Sequence, residues 1–130
     1  MTSLSDVHVL VVDDNRDTAT SCAKLFSALG HDVRTAFDGL EAIEVAHAFR
    51  PEVIFLDIGL PGMNGYDVAR TLRSEGFRHE SIIAVTGYGQ PEDRQRSHDA
   101  GFDEHLVKPV QQEALVAVLR RAAATQEVST

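Results

Sequence analysis

Short apolar runs alternate with longer amphipathic stretches five times along the chain. Val7 to Val12, Asp32 to Ala36, Val53 to Leu56, Ser81 to Val85 and Glu104 to Val107 are too short for helices, and several are apolar at consecutive positions. That pattern suits strands buried on both faces of a parallel sheet. Between them, the spacing predicts helices over about Arg16 to Leu29, Gly39 to Phe49, Tyr66 to Ser74, Pro91 to Ala100 and Gln111 to Ala124. Leu25, Phe26 and Leu29 mark an inward face in the first helix, Leu40, Ile43, Ala46 and Ala48 in the second, and Leu115, Val118 and Leu119 in the fifth. Gly30 and Pro51 supply stop signals, and Pro91 suits a first helical turn. The fourth helix is polar and predicted to pack loosely, and the chain after the fifth is predicted to fray. Ile58 to Gly65 is too rich in Gly and Pro for regular structure and reads as a loop held at a strand end.

The alternation predicts an α/β fold, a five-stranded parallel sheet with helices on both faces. A single domain over 1–130, with its core at about 7–123, accounts for the whole pattern, and there is no internal repeat or linker. A chain of 130 residues buries roughly two thirds of its unfolded surface and needs no disulfide or structural metal to fold. Its composition is 43% hydrophobic and 25% charged, which is ordinary for a soluble globular domain.

Twenty acidic residues against 12 Lys and Arg give a net charge of −8, which argues against direct nucleic-acid binding, since phosphate neutralisation needs clustered cations. The single cysteine, Cys22, cannot form an internal disulfide and lacks a paired-cysteine metal motif. A reducing, cytoplasmic location is therefore expected. The polar start, Met1 to Asp6, and apolar runs far below the roughly 18 residues of a bilayer span exclude an export signal and a membrane helix from the reading.

Candidate chemistry gathers where the apolar runs end. Asp13 and Asp14 follow the first, Asp57 the third, Thr86 the fourth and Lys108 the fifth. In a parallel sheet these positions share one edge, the edge at which open α/β sheets bind ligands. Each alone has an ordinary reading: Asp13-Asp14-Asn15 as a polar loop with a helix cap, Asp57 as a turn residue, Thr86 as a strand-end hydroxyl, Lys108 as a solvated charge. Their joint placement carries the signal. Three carboxylates at one edge repel one another without a cation among them, and hard oxygen ligands suit Mg²⁺. An aspartate so surrounded, with a lysine to pair with it and with a phosphoryl oxygen, suits nucleophilic attack at phosphorus and an aspartyl phosphate product.

Val11-Val12-Asp13-Asp14-Asn15, Asp57 with Leu60-Pro61-Gly62-Met63-Asn64-Gly65, Val85-Thr86-Gly87 and Lys108-Pro109 together resemble the motifs of the response-regulator receiver (CheY-like) family of two-component signalling systems. The resemblance runs from about Val7 to Ala123. It implies a flavodoxin-like (βα)5 fold with strand order 2-1-3-4-5. It further implies Asp57 as phosphoacceptor, and Mg²⁺ held by Asp14 directly, by Asp13, by Asp57 and by the backbone carbonyl of Gly59. Thr86 is then the switch hydroxyl, with Gly87 leaving room beside it. Lys108 is the phosphate-pairing lysine, and the bond to Pro109 is cis.

One departure concerns His105, three positions before the lysine, where the family usually carries a switching Tyr or Phe; the bland reading is a partly buried ring satisfied by local hydrogen bonds, against a switch or pH-sensing role for His105. Gly59 and Tyr88 occupy the positions that influence phosphoryl lifetime in the family. His8, His31, His47, His79 and His98 show no metal-ligand spacing and read as loop or surface residues. Arg94 and Arg96 with Glu92 and Asp93 read as a solvated helix face, and Cys22 as a small packed residue.

The function implied is a phosphorylation-dependent signalling switch and not an enzyme beyond self-phosphorylation and self-dephosphorylation. A histidine kinase or histidine phosphotransfer protein is the expected donor, and a downstream protein or a fused kinase domain the expected target. The chain would act as a monomer or a weak phosphorylation-dependent dimer, either alone or as part of a hybrid histidine kinase. A Mg²⁺-dependent phosphatase or phosphotransferase is the enzymatic alternative; such enzymes usually carry a second carboxylate two residues after the nucleophile, where Gly59 stands. A receiver-like scaffold that is never phosphorylated is the other alternative.

Overall fold

The computed structural model describes residues 7–87 and 94–128. The expectations for Met1 to Asp6, Tyr88, the Pro91 turn, and Glu92 with Asp93 lie outside the described residues. The elements run β1 (His8–Val12), α1 (Arg16–Ala28), β2 (Asp32–Ala36), α2 (Gly39–Phe49), β3 (Val53–Asp57), α3 (Gly65–Ser74), β4 (Ser81–Thr86), α4 (Arg94–Ala100), β5 (Glu104–Val107) and α5 (Gln112–Val128). All strand pairs are parallel, in the order β2-β1-β3-β4-β5. The α/β class is therefore as the sequence predicted, and the 2-1-3-4-5 order as the family resemblance implied.

Alternate residues of the central strands feed two cores, as a period of two requires. Val9, Val11, Val53, Phe55 and Ile83 face α1 and α5, with the rings of Phe26 and Phe55 at 5.0 Å. Leu10, Val12, Ile54, Leu56, Ile82 and Ala84 face the other side, with Ala42 and Ala46 of α2, Val68 and Leu72 of α3, and Ala100 of α4. The sheet is thus covered on both faces. Three helices that open at the functional edge start on polar side-chain caps: Asn15 accepts from the Thr18 amide, Asp38 from Glu41 and Asn64 from Asp67. No helix among the described residues is long and apolar enough to cross a membrane.

Several expectations are corrected. Leu40 is 67% exposed, and Ala48 also faces out. Helix α2 instead turns Gly39, Ala42 and Ala46 inward, because it begins in close contact with the loop before α3: a Cβ on Gly39 would stand 2.9 Å from the Met63 carbonyl oxygen. Small residues permit that approach, and Leu40, about 100° further round the helix, points away. Helix α4 is not loose on its inner side, since Ser97 and Ala100 are buried. His31 is buried, its Nδ1 accepting from the Val7 amide at 3.4 Å. Helix α5 continues one turn beyond Ala124. The Gln126 amide donates to the His79 carbonyl at 2.8 Å and to Ser81 Oγ at 3.2 Å, which ties that last turn to the start of β4.

Candidate functional site

The carboxyl ends of β1, β3, β4 and β5 bring the site together. Asp13 follows β1 with its amide bonded to the Ala36 carbonyl at 3.1 Å, and its Oδ1 accepts from the Asn15 amide at 2.9 Å. Asn15 is then free to cap α1 and leave Asp14 exposed at the rim. Asp57 is the last residue of β3 and is buried; its Oδ1 accepts from the Gly59 amide at 2.8 Å. One oxygen of each of Asp13, Asp14 and Asp57 can lie within 4.8 Å of the other two.

Lys108 reaches this group from beyond β5. Its backbone amide is bonded to the Thr86 carbonyl at 2.7 Å, and its Nζ stands 3.0 Å from Asp13 Oδ2 and 3.1 Å from Asp57 Oδ2. The next peptide bond, Lys108-Pro109, is cis.

The electrostatics follow from this crowding. Burial pushes the Asp57 carboxyl above its ordinary value, more than the Gly59 amide and the Lys108 ammonium pull it down, and the charge of Asp13 adds to the rise. Burial opposes the Lys108 charge, yet hydrogen bonds and attraction from Asp13 and Asp57 outweigh it, so the ammonium is held above its ordinary value. Three carboxylates against one ammonium leave the group with a formal charge of −2. The donor set is made of hard oxygens and lacks two positive charges, which fits a divalent cation such as Mg²⁺.

Thr86 ends β4 buried, and its hydroxyl donates to the Leu106 carbonyl over a long 3.4 Å. The hydroxyl is therefore at the site's edge but engaged with β5 and not with the carboxylates. Gly59 is exposed beside Asp57. His105 is paired in register with Ala84 and faces the side of the sheet covered by α3 and α4. Its ring is 6.3 Å from that of Phe102. The bland reading of His105 needs correcting: its Nε2 is buried with no hydrogen-bond partner among the described residues.

Sequence reasoning names Gly65 only as part of the loop motif and misses its packing against Asp57. Its amide donates to the Ile58 carbonyl at 3.0 Å, and a Cβ there would stand 2.6 Å from both the Asp57 carbonyl oxygen and Ile58 Cα. This glycine lets the start of α3 press on the backbone of Asp57 itself. Arg96, expected on a solvated face, instead has its guanidinium 4.0 Å over the Tyr66 ring.

Comparison with known proteins places this geometry in context. The family model described as "Response regulator receiver domain" matches residues 9–120. The response regulator MprA of Mycobacterium ulcerans (strain Agy99) is 38% identical over 114 residues, covering 88% of this chain and 49% of that protein. The chain thus spans about half the length of the curated relatives it matches. Among solved structures, the chemotaxis protein CheY4 of Vibrio cholerae matches with a TM-score of 0.84 at 30% identity, over 90% of this chain and 98% of that one. NtrX from Brucella abortus matches with a TM-score of 0.82 at 28% identity, over 94% of this chain and 28% of that one.

Proposed function

We propose, from the premise that this chain belongs to the response-regulator receiver family of two-component signalling, that it is a switch whose phosphoacceptor is Asp57. The observation that carries the reading is the position of the Lys108 ammonium, shared between Asp13 and Asp57 while Asp14 completes the carboxylate group. Asp13, Asp14 and Asp57, with the Gly59 carbonyl, would hold Mg²⁺. When bound, Mg²⁺ supplies charge neutralisation for the transferring phosphoryl group.

The donor is a phosphohistidine on a kinase or phosphotransfer protein. An Asp57 carboxylate oxygen forms the new P–O bond as the histidine N–P bond breaks, and the departing electron pair stays on the imidazole, which takes a proton from solvent. Lys108 gives up its bond to Asp57 Oδ2 and pairs with a phosphoryl oxygen, so a cation already in the site meets the new charge without long-range rearrangement. The Thr86 hydroxyl gives up only a long bond to Leu106 in turning toward the phosphoryl group.

The output is altered binding of a partner, a downstream protein or a kinase domain in the same polypeptide, and the whole of 1–130 acts as one unit in the cytoplasm. Such a switch requires the phosphoryl group to favour one conformation over the other, since equal affinity for both shifts nothing. Gly59, exposed two residues after Asp57, brings no second carboxylate for turnover, and this supports a signalling role over an enzymatic one.

The test is intact mass after incubation with acetyl phosphate, with and without Mg²⁺, for wild type and Asp57→Asn. One Mg²⁺-dependent phosphoryl group on the wild type and none on the variant is the expected result. No gain in mass, and no binding of the beryllofluoride analogue, would overturn the reading in favour of an unphosphorylated scaffold.

A further inference from the structure

One side chain away from the acceptor makes more hydrogen bonds than any role yet described requires. Arg73, in the last turns of α3, is only 20% exposed. Its Nε and Nη2 donate to the Gly101 carbonyl at 3.0 and 2.6 Å, and its Nη1 donates to the carbonyls of Phe77 at 2.8 Å and Glu80 at 2.7 Å. Nη2 also meets Asp103 Oδ2 at 3.0 Å. The same Asp103 oxygen accepts from the Ile82 amide at 2.8 Å. One guanidinium therefore joins the end of α3, the loop into β4 and the turn from α4 into β5. The fit is tight: Gly101 has φ +104°, and a Cβ there would lie 2.7 Å from Arg73 Cγ.

The opposite end of α3 presses on the acceptor. Gly65 touches the backbone of Asp57 and Ile58. Arg73 follows eight residues later, about 12 Å along the helix axis. Helix α3 also meets α4 near its start, where Tyr66 packs edge-on to Phe102 and under Arg96. Helix α4 and the turn that follows it are thus held against α3 at two places, through Arg96 and through Gly101, and α3 is a stiff element between the Asp57 backbone and the α4–β5 turn.

Beneath α4 the packing is polar and incomplete. Ser97 Oγ and His105 Nε2 are buried without hydrogen-bond partners among the described residues. Buried polar atoms in that condition are costly, so a rearrangement of α4 that gave them partners would be favoured by their pairing. An element with two arrangements, driven by a rigid one, is what coupling between sites requires.

We propose that Arg73 is the positioning residue that couples the state of Asp57 to α4 and the α4–β5 turn, with α3 as the strut between them. Arg73 touches no reacting atom; it acts by making α4 follow α3. The inference rests on the phosphoacceptor reading above.

The experiment measures amide hydrogen exchange over residues 96–103 in the presence of Mg²⁺, with and without acetyl phosphate, while intact mass records phosphoryl uptake. Arg73→Lys keeps the charge, but an ammonium cannot serve Gly101, Phe77, Glu80 and Asp103 together. It is expected to take up the phosphoryl group as wild type does, while the phosphorylation-linked exchange change shrinks about threefold or more. Val118→Ala, in the core on the other face of the sheet, is the stability control: it should lower the denaturation midpoint and keep the full response. A full response in Arg73→Lys, or an equal loss in Val118→Ala, overturns the proposal. Should Arg73→Lys fail to fold, Asp103→Asn removes one arm of the clamp and is expected to lose part of the response, a full response again overturning it. A wild type that neither takes up the phosphoryl group nor binds beryllofluoride defeats the phosphoacceptor reading itself, and the coupling with it.

Discussion

Lys108 and Asp57, 51 positions apart in the chain, meet with 3.1 Å between Nζ and Oδ2. The contact does not leave Asp57 comfortable. Burial still holds its carboxyl above the ordinary value, while the lysine, shared with Asp13, is held above its own. The site therefore carries a standing deficit of positive charge, and its consequences are measurable.

The first consequence concerns stability without metal. A raised Asp57 means that the folded chain binds the proton more tightly than the unfolded chain. Its contribution to stability is present below pH 3.8, the ordinary value, and is lost as the pH rises through the higher folded value. At neutral pH the Asp57 carboxylate is a net cost, and Asp57→Asn should be more stable than wild type by about 0.5–2 kcal/mol, the range usual for relieving a functional site. Chemical denaturation in chelator-treated buffer checks this. The gap should close below pH 3.8 and narrow or reverse when Mg²⁺ binds and stabilises the wild type by mass action. A less stable Asp57→Asn at pH 7 would contradict the account.

Removing the lysine tests the opposite charge. Because its folded value is raised, Lys108 contributes stability that is fully present below pH 10.5 and lost only as the pH climbs through the folded value. Lys108→Met should destabilise the chain throughout the neutral range and push Asp57 further up. Uptake from acetyl phosphate at saturating Mg²⁺ should slow by roughly 10²-fold, the effect of deleting one donor to a developing oxyanion. Adding Asp57→Asn to Lys108→Met should restore part of the lost stability, as expected for neighbours in one network.

Gly65→Ala probes the seat of the acceptor. The new Cβ would need space 2.6 Å from the Asp57 carbonyl oxygen, where neither backbone can yield cheaply. The expected loss is about 1–3 kcal/mol, that of overpacking. Phosphoryl uptake should also fall, because α3 would push the acceptor off line. Gly62→Ala is the control: its Cβ would meet nothing within 4 Å, its φ is +71°, and it should cost stability through backbone strain alone while uptake is retained.

Asp13, Asp57, Thr86 and Lys108 were legible in the sequence because each follows an apolar run, and parallel strands bring such ends to one edge. What stayed hidden depends on contacts that composition does not record. Gly65 looks like any loop glycine until the Asp57 backbone is placed beside its missing Cβ. Arg73 sits at an ordinary polar position of α3, and its carbonyl acceptors come from turns and leave no mark in the sequence. The inward face of α2 was misjudged at Leu40 and Ala48 because its alanines and Gly39, not its largest apolar residue, meet the core. The end of α5 was set too early because Gln126 is anchored by distant groups at His79 and Ser81.

Cys22 offers a reporter of the site's charge. It lines a groove between α1 and α5 with Asp13, Phe55, Val85 and Leu115. Its thiol is pushed from 9.0 up to about 12, chiefly by burial and secondarily by the charge of Asp13. The thiolate is the reactive form, so at pH 8 only about one molecule in 10⁴ is poised to react, against about one in ten at the ordinary value. Alkylation of the native chain by iodoacetamide should therefore be roughly 10³-fold slower than in denaturant. Mg²⁺ at Asp13 would offset the smaller cause and leave the larger intact. Native alkylation should accordingly quicken on adding Mg²⁺ but remain far below the denatured rate, and Asp13→Asn should mimic that increase without metal. Native alkylation as fast as in denaturant would show that the thiol is not held protonated; a rate indifferent to both Mg²⁺ and Asp13→Asn would show that the acidic group does not govern it.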